Sequence, residues 1–155
     1  MRRIVVILGG AVLALAAVAN IRAHCQVPCG IYDDATRFKL MSECVETIGK
    51  SVKEINRLSA EPKPDYNQLV RWVDNKDRQA DDLAAIVSGY FMAQRIKPVD
   101  MSDAAARTKY VEQLTLAHQL LVQAMKSKQS ANPAAAAQLR KLLDAFQDGY
   151  LGHPH

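Results

Sequence analysis

Apolar side chains recur at helical intervals along most of this 155-residue chain. Phe38, Met41, Val45, Ile48, Val52 and Ile55 follow one another in alternating steps of three and four, which places them on one face of a helix. Asp33-Asp34 offers that helix its N-cap, and Glu61-Pro62-Lys63-Pro64 ends it. A second helix is predicted from about Asp65 to Gln94, with Leu69, Val73, Ala80, Leu83, Val87 and Tyr90 on one face and Lys76 interrupting the seam. Lys97-Pro98 stops it, and Ser102 or Asp103 can cap a third helix. The third seam is Tyr110 or Val111, Leu114, Ala117, Leu121 and Met125. Asn132-Pro133 pairs a capping residue with a first-turn proline for a fourth helix, which carries Leu139, Leu142, Leu143 and Phe146. Four amphipathic helices on short, Pro-marked links predict an all-α fold, an antiparallel four-helix bundle. Aromatic and Met residues on these seams, Trp72 and Met41 among them, read as packing, and Cys44 beside the first seam as a buried thiol.

Composition supports this and excludes other classes. Only 6% of residues are aromatic, and there are 7 Gly and 6 Pro, which argues against a β-sandwich. No glycine-rich phosphate loop appears, so a nucleotide-dependent enzyme is not expected. The formal charge of +4 is misleading, because Arg2, Arg3 and Arg22 fall in a segment expected to be removed. Without them the remaining Lys and Arg exceed the 16 acidic residues by one. A surface so nearly neutral gives no case for nucleic acid binding, which needs concentrated positive charge.

Residues 1–23 have the pattern of a secretory signal peptide. Met1-Arg2-Arg3 forms a positive head, an apolar run extends from Ile4 to Ala19, and small residues lie near the end of the segment. The run is shorter than the roughly 20 apolar residues of a membrane span. Cleavage after Ala19 fits the small-x-small rule, whereas cleavage after Ala23 would make His24 the first residue. Export, to the periplasm or beyond the cell, implies an oxidising compartment in which thiols tend to pair. The expected organisation is thus 1–23 signal peptide, 24–34 metal-binding hook and 35–155 helical bundle.

The hook is His24-Cys25-Gln26-Val27-Pro28-Cys29-Gly30-Ile31-Tyr32-Asp33-Asp34. Pro28 and Gly30 flank Cys29 and force a turn, which lets the two sulfurs converge. With His24 as the terminus, its amine, the Cys25 amide nitrogen and the Cys25 thiolate form two fused five-membered chelate rings. Cys29 closes a fourth planar position. Planar nitrogen and thiolate donors suit Ni(II) or Cu(II). The same two cysteines could instead close a small disulfide loop in an exported helical protein.

The segment resembles the nickel hook of nickel-containing superoxide dismutases, whose mature chains begin His-Cys-x-x-Pro-Cys-Gly-x-Tyr. His24, Cys25, Pro28, Cys29, Gly30 and Tyr32 meet every fixed position. Ser88-Gly89-Tyr90-Phe91 is similar to the aromatic end of that family's second helix. The resemblance implies a nickel ion cycling between Ni(II) and Ni(III) while superoxide becomes oxygen and hydrogen peroxide. It implies equatorial ligation by the His24 amine, the Cys25 amide nitrogen and the Cys25 and Cys29 thiolates, with the His24 imidazole axial in the oxidised state. Tyr32 would stand over the open face and limit access to small anions. A homohexamer is also implied. Gln26 departs from the acid that better-known members carry. The family's helix carboxylate and arginine behind the axial imidazole have no secure counterpart, although Glu43, Arg71 and Arg78 come into consideration. An exported metal-sensing or metal-buffering bundle without turnover is the alternative reading.

Overall fold

The computed structural model describes residues 33–152, and these form four helices with no strand among them. Helix α1 spans Asp34–Ser59, α2 spans Tyr66–Ala85 and runs on as a π-helical turn over Ile86–Arg95, α3 spans Ala104–Gln129 and α4 spans Pro133–Leu151. Each begins at a side-chain cap of the type expected. The Asp33 carboxylate accepts from the Thr36 amide, Asp65 from Gln68, Asp103 from Ala105 and Ala106, and Asn132 from Ala134. Of the alternatives left open by the sequence, Asp33 rather than Asp34 caps α1, and Asp103 rather than Ser102 caps α3.

The helices pack in a ring, α1 against α2, α2 against α3, α3 against α4 and α4 against α1. Direction is fixed by three contacts between α1 and the chain around α4. Tyr150 reaches Asp34, Arg140 reaches Ser42, and Asn56 donates to the Ala131 carbonyl in the link before α4. Rising residue numbers on α1 thus meet falling numbers on α4, which is the antiparallel arrangement. One end of the bundle gathers the start of α1 with the ends of α2 and α4.

The first seam is buried as predicted, with Met41 and Ile48 fully enclosed and Phe38, Val45, Val52 and Ile55 beside them. Leu139, Leu143 and Phe146 of α4 fill the same core, with Leu142 partly buried at its edge. Two predicted seams each have members that point outward. On α2, Val73 is 41% exposed, and Trp72 and Asn75 face α1 instead: Asn75 donates to the Ser51 hydroxyl at 3.1 Å and the Lys50 ammonium lies 6.0 Å over the Trp72 ring. On α3, Val111 and Met125 are about half exposed, while Ala117, Leu120, Ala124 and Ser127 form the buried line. That helix carries apolar residues on several faces, so spacing alone does not select between Leu120 and Leu121. No helix of the described residues is long and apolar enough to cross a membrane.

Lys76 does not interrupt its seam; it completes it. The residue is 2% exposed and continues the buried line through Ala80, Leu83 and Val87.

Candidate functional site

The predicted site residues His24, Cys25, Cys29 and Tyr32 lie outside the described residues, as does the signal segment. Among the described residues, no group of three or more His, Cys, Asp or Glu side chains is arranged to hold a metal ion. His118 is exposed on α3.

What the structure does show is the bundle end at which α1 begins. Asp33, the residue bonded to Tyr32, spends its carboxylate on the first turn of α1: one oxygen accepts from the Thr36 amide at 2.7 Å and the other from the Thr36 hydroxyl at 2.8 Å. Those bonds hold its carboxyl below the ordinary carboxylate value. Asp34 is therefore relieved of capping and turns inward. Its Oδ1 accepts from the Tyr90 hydroxyl at 2.6 Å, and its Oδ2 accepts from Arg95 Nη2 at 2.7 Å and from the Tyr150 hydroxyl at 2.9 Å. Burial pushes against ionisation of Asp34, but the bonds from Arg95, Tyr90 and Tyr150 together outweigh it and hold the carboxyl below its usual value. The same burial and the bond to Asp34 push the Tyr90 hydroxyl up to about 12, and Tyr150 is raised for the same two reasons.

In the sequence Asp34 reads only as a possible cap, and nothing marks Arg95 or Tyr150. The reason lies in the π-helical turn. Tyr90 and Arg95 are five residues apart, and at 3.6 residues per turn they would stand about 140° apart around an α-helix. In this segment the Ile96 amide donates to the Phe91 carbonyl at 2.8 Å, five residues back, and the Gln94 side-chain amide closes on the Gly89 carbonyl at 2.6 Å. The wider turn brings Tyr90 and Arg95 to one face, where both reach Asp34. The Arg37 and Arg95 guanidiniums lie 5.3 and 5.9 Å from the Tyr90 ring centroid.

Beneath the carboxylate sits a nest of rings. Phe38 and Phe91 are 4.8 Å apart between centroids, and Phe91 meets Phe146 and Tyr150 edge-on at 5.1 and 5.2 Å. These rings exclude water from the underside of the cluster and tie α1, α2 and α4 together at this end.

Of the residues considered for an imidazole-orienting pair, Arg78 binds Asp74 on its own helix at 2.8 Å and Glu43 faces Lys39 at 4.0 Å. Arg71 lines a shallow pocket with Arg78 and Trp72. Glu43 also borders a groove with Cys44, Gln79 and Asp82. The Cys44 thiol, buried as expected, is pushed up to about 11 by burial and then by the Asp82 and Glu43 charges.

No curated relative and no solved structure matches the chain. The family model of nickel-containing superoxide dismutase matches it over residues 19–153. With that match covering the hook motif and all four helices, the chain belongs to the nickel-containing superoxide dismutase family.

Proposed function

We propose that the chain works as an exported superoxide dismutase whose nickel is held by residues 24–29. The carrying observation is the family match across residues 19–153, coincident with a fully populated hook motif at 24–32. The donors fit the metal: the His24 amine and imidazole, the Cys25 amide nitrogen and thiolate, and the Cys29 thiolate are the nitrogen and sulfur set a planar Ni(II) site takes. The described part of the chain supports the assignment by leaving the third cysteine out of it, since Cys44 is a buried, protonated thiol.

Bound nickel would supply the one-electron exchange by which two superoxide anions become oxygen and hydrogen peroxide with uptake of two protons. The chain's own residues do the rest. Ligation keeps Cys25 and Cys29 as thiolates and competes with the oxidation that peroxide otherwise drives. The His24 imidazole would be a further nitrogen donor to the nickel. Tyr32, three residues after Cys29, would limit access to small anions.

Residues 1–23 direct export in this reading, and cleavage after Ala23 liberates the amine on which ligation depends. Assembly into a homohexamer is part of the same proposal. The exposed apolar strip Tyr66, Val70 and Val73 on α2, at 72%, 67% and 41% exposure, supports self-association, and the number six comes from the family resemblance.

Mass spectrometry of the mature chain tests the reading. A start at His24 with one nickel per chain and turnover of superoxide is the expected result. A start at Asn20, or a mass two hydrogens light from a Cys25–Cys29 bridge, would overturn it. Nickel uptake without turnover would leave a metal-buffering bundle in its place.

A further inference from the structure

Helix α3 carries much of its bulk away from the core. Its buried apolar line, Ala117, Leu120 and Ala124, has a single large member. The other large side chains lie elsewhere: Val111 is 48% exposed and Met125 52%, while Leu114, Leu121 and Val122 are partly buried. Val111, His118 and Met125 recur every seven residues, so they stay within about 40° of one another around the helix. Thr115 and Val122 fall between them, and these five make the outermost strip of α3. Leu114 and Leu121 line one edge of the strip, in register with Lys128, which binds Asp81 of α2. Glu112, Gln119 and Lys126, all exposed, line the other edge on the side of α4, where Glu112 lies beside Gly149. Arg107 and Gln129 close the strip at its two ends.

This face is complementary to itself. Two copies of α3 laid antiparallel and centred at His118 set Val111 against the partner's Met125, Thr115 against the partner's Val122 and Leu114 against the partner's Leu121. All three pairs agree on one midpoint to within about 1.5 Å along the helix. On the other edge Glu112 comes within about 3 Å of the level of the partner's Lys126, and a two-fold axis makes that contact twice. A parallel pairing would instead set like charge against like charge at both positions.

We propose that the outer face of α3 is a two-fold contact through which two copies of this chain pair, antiparallel, along Val111, Thr115, His118, Val122 and Met125. Burial of the apolar strip drives the association, and the edge charges select its direction. The contact does not depend on a count of six subunits; it requires only that the assembly be even-numbered. It also leaves the Tyr66, Val70 and Val73 strip of α2 for a second contact, which a closed assembly with both two-fold and three-fold axes needs.

The test is sedimentation velocity of the full mature chain and of its Met125→Lys, Glu112→Lys and Glu112→Lys/Lys126→Glu variants, with circular dichroism confirming helical content. The wild-type chain is expected to sediment as a dimer or a larger even multiple. Met125→Lys should halve that assembly by placing an ammonium in the strip. Glu112→Lys should weaken the pairing about tenfold, because two exposed pairs turn from attraction to repulsion. The double variant restores opposite charges across the axis and should recover wild-type association; it leaves the core untouched, so it decides the matter even if Met125→Lys loses helix. A monomeric or odd-numbered wild-type chain would overturn the proposal. An assembly whose size and strength are the same in the wild type, Met125→Lys and Glu112→Lys would also overturn it, and would leave self-association to another face.

Discussion

The ammonium of Lys76, midway along α2, donates to the backbone carbonyl of Ser127 in the last turn of α3 at 2.7 Å. A second bond goes to the Lys128 carbonyl at 2.8 Å and a third to the Asp77 carboxylate at 2.6 Å. Helix α3 ends at Ser130 in an extended conformation, without the left-handed closure that Gly152 gives α4. Its final carbonyls therefore lack the usual partner, and Lys76 takes that place with a positive charge at the negative end of the helix dipole.

Lys76→Met should be destabilising even though the new side chain suits the buried seam. It leaves two carbonyls at the end of α3 without their donor, at a cost of about 1–3 kcal/mol. Urea unfolding checks this, and a variant as stable as the parent would remove the capping role.

Removing a proposed ligand should separate binding from turnover. Cys25→Ser and Cys29→Ser are each expected to abolish nickel binding; metal analysis showing stoichiometric nickel in either would discard the ligand set. His24→Ala should retain some nickel and lose most turnover, because the imidazole proposed as a further donor is gone. Full activity there would refute the proposed role of the imidazole.

Stability should fall on the acid side through identifiable groups. Asp34, Asp33 and Asp100 all have carboxyls held below their ordinary values in the folded chain. A depressed folded value contributes stability that is present above the unfolded carboxyl value of about 3.9 and lost as pH falls through the folded one. Tyr90 works at the other extreme: raised to about 12, it contributes stability that is present below the unfolded phenol value of about 10 and lost as pH climbs through 12. Unfolding midpoints measured against pH should show Asp34→Asn with a shallower acid limb than wild type. An unchanged limb would mean that the Asp34 bonds carry no linkage.

Cys44 should resist chemistry that reaches the hook thiols. Its burial and raised thiol value leave almost no thiolate near pH 8. In metal-free protein, iodoacetamide is expected to modify Cys25 and Cys29 promptly and Cys44 only on unfolding. Prompt labelling of Cys44 in folded protein would show that the groove around it opens.

Much of this molecule follows from one-dimensional order. The step pattern from Phe38 to Ile55, the caps Asp33, Asp65, Asp103 and Asn132, and the proline links are local properties, so they are readable along the chain and specify four helices. The chemistry of the hook is local too: a histidine, two cysteines and a turn within nine residues make a donor set without help from distant sequence. Helix rotation is not local. Whether Leu120 or Leu121 of α3 enters the core depends on which neighbours it meets, and Lys76 counts as a break in a seam until Ser127 and Lys128 arrive from another helix to satisfy it. The meeting of Asp34 with Tyr90, Arg95 and Tyr150 belongs to tertiary structure alone. Its members span 116 residues of sequence, and two of them share a face only because a π-helical turn replaces the α-helical spacing from which a reader of the sequence must argue.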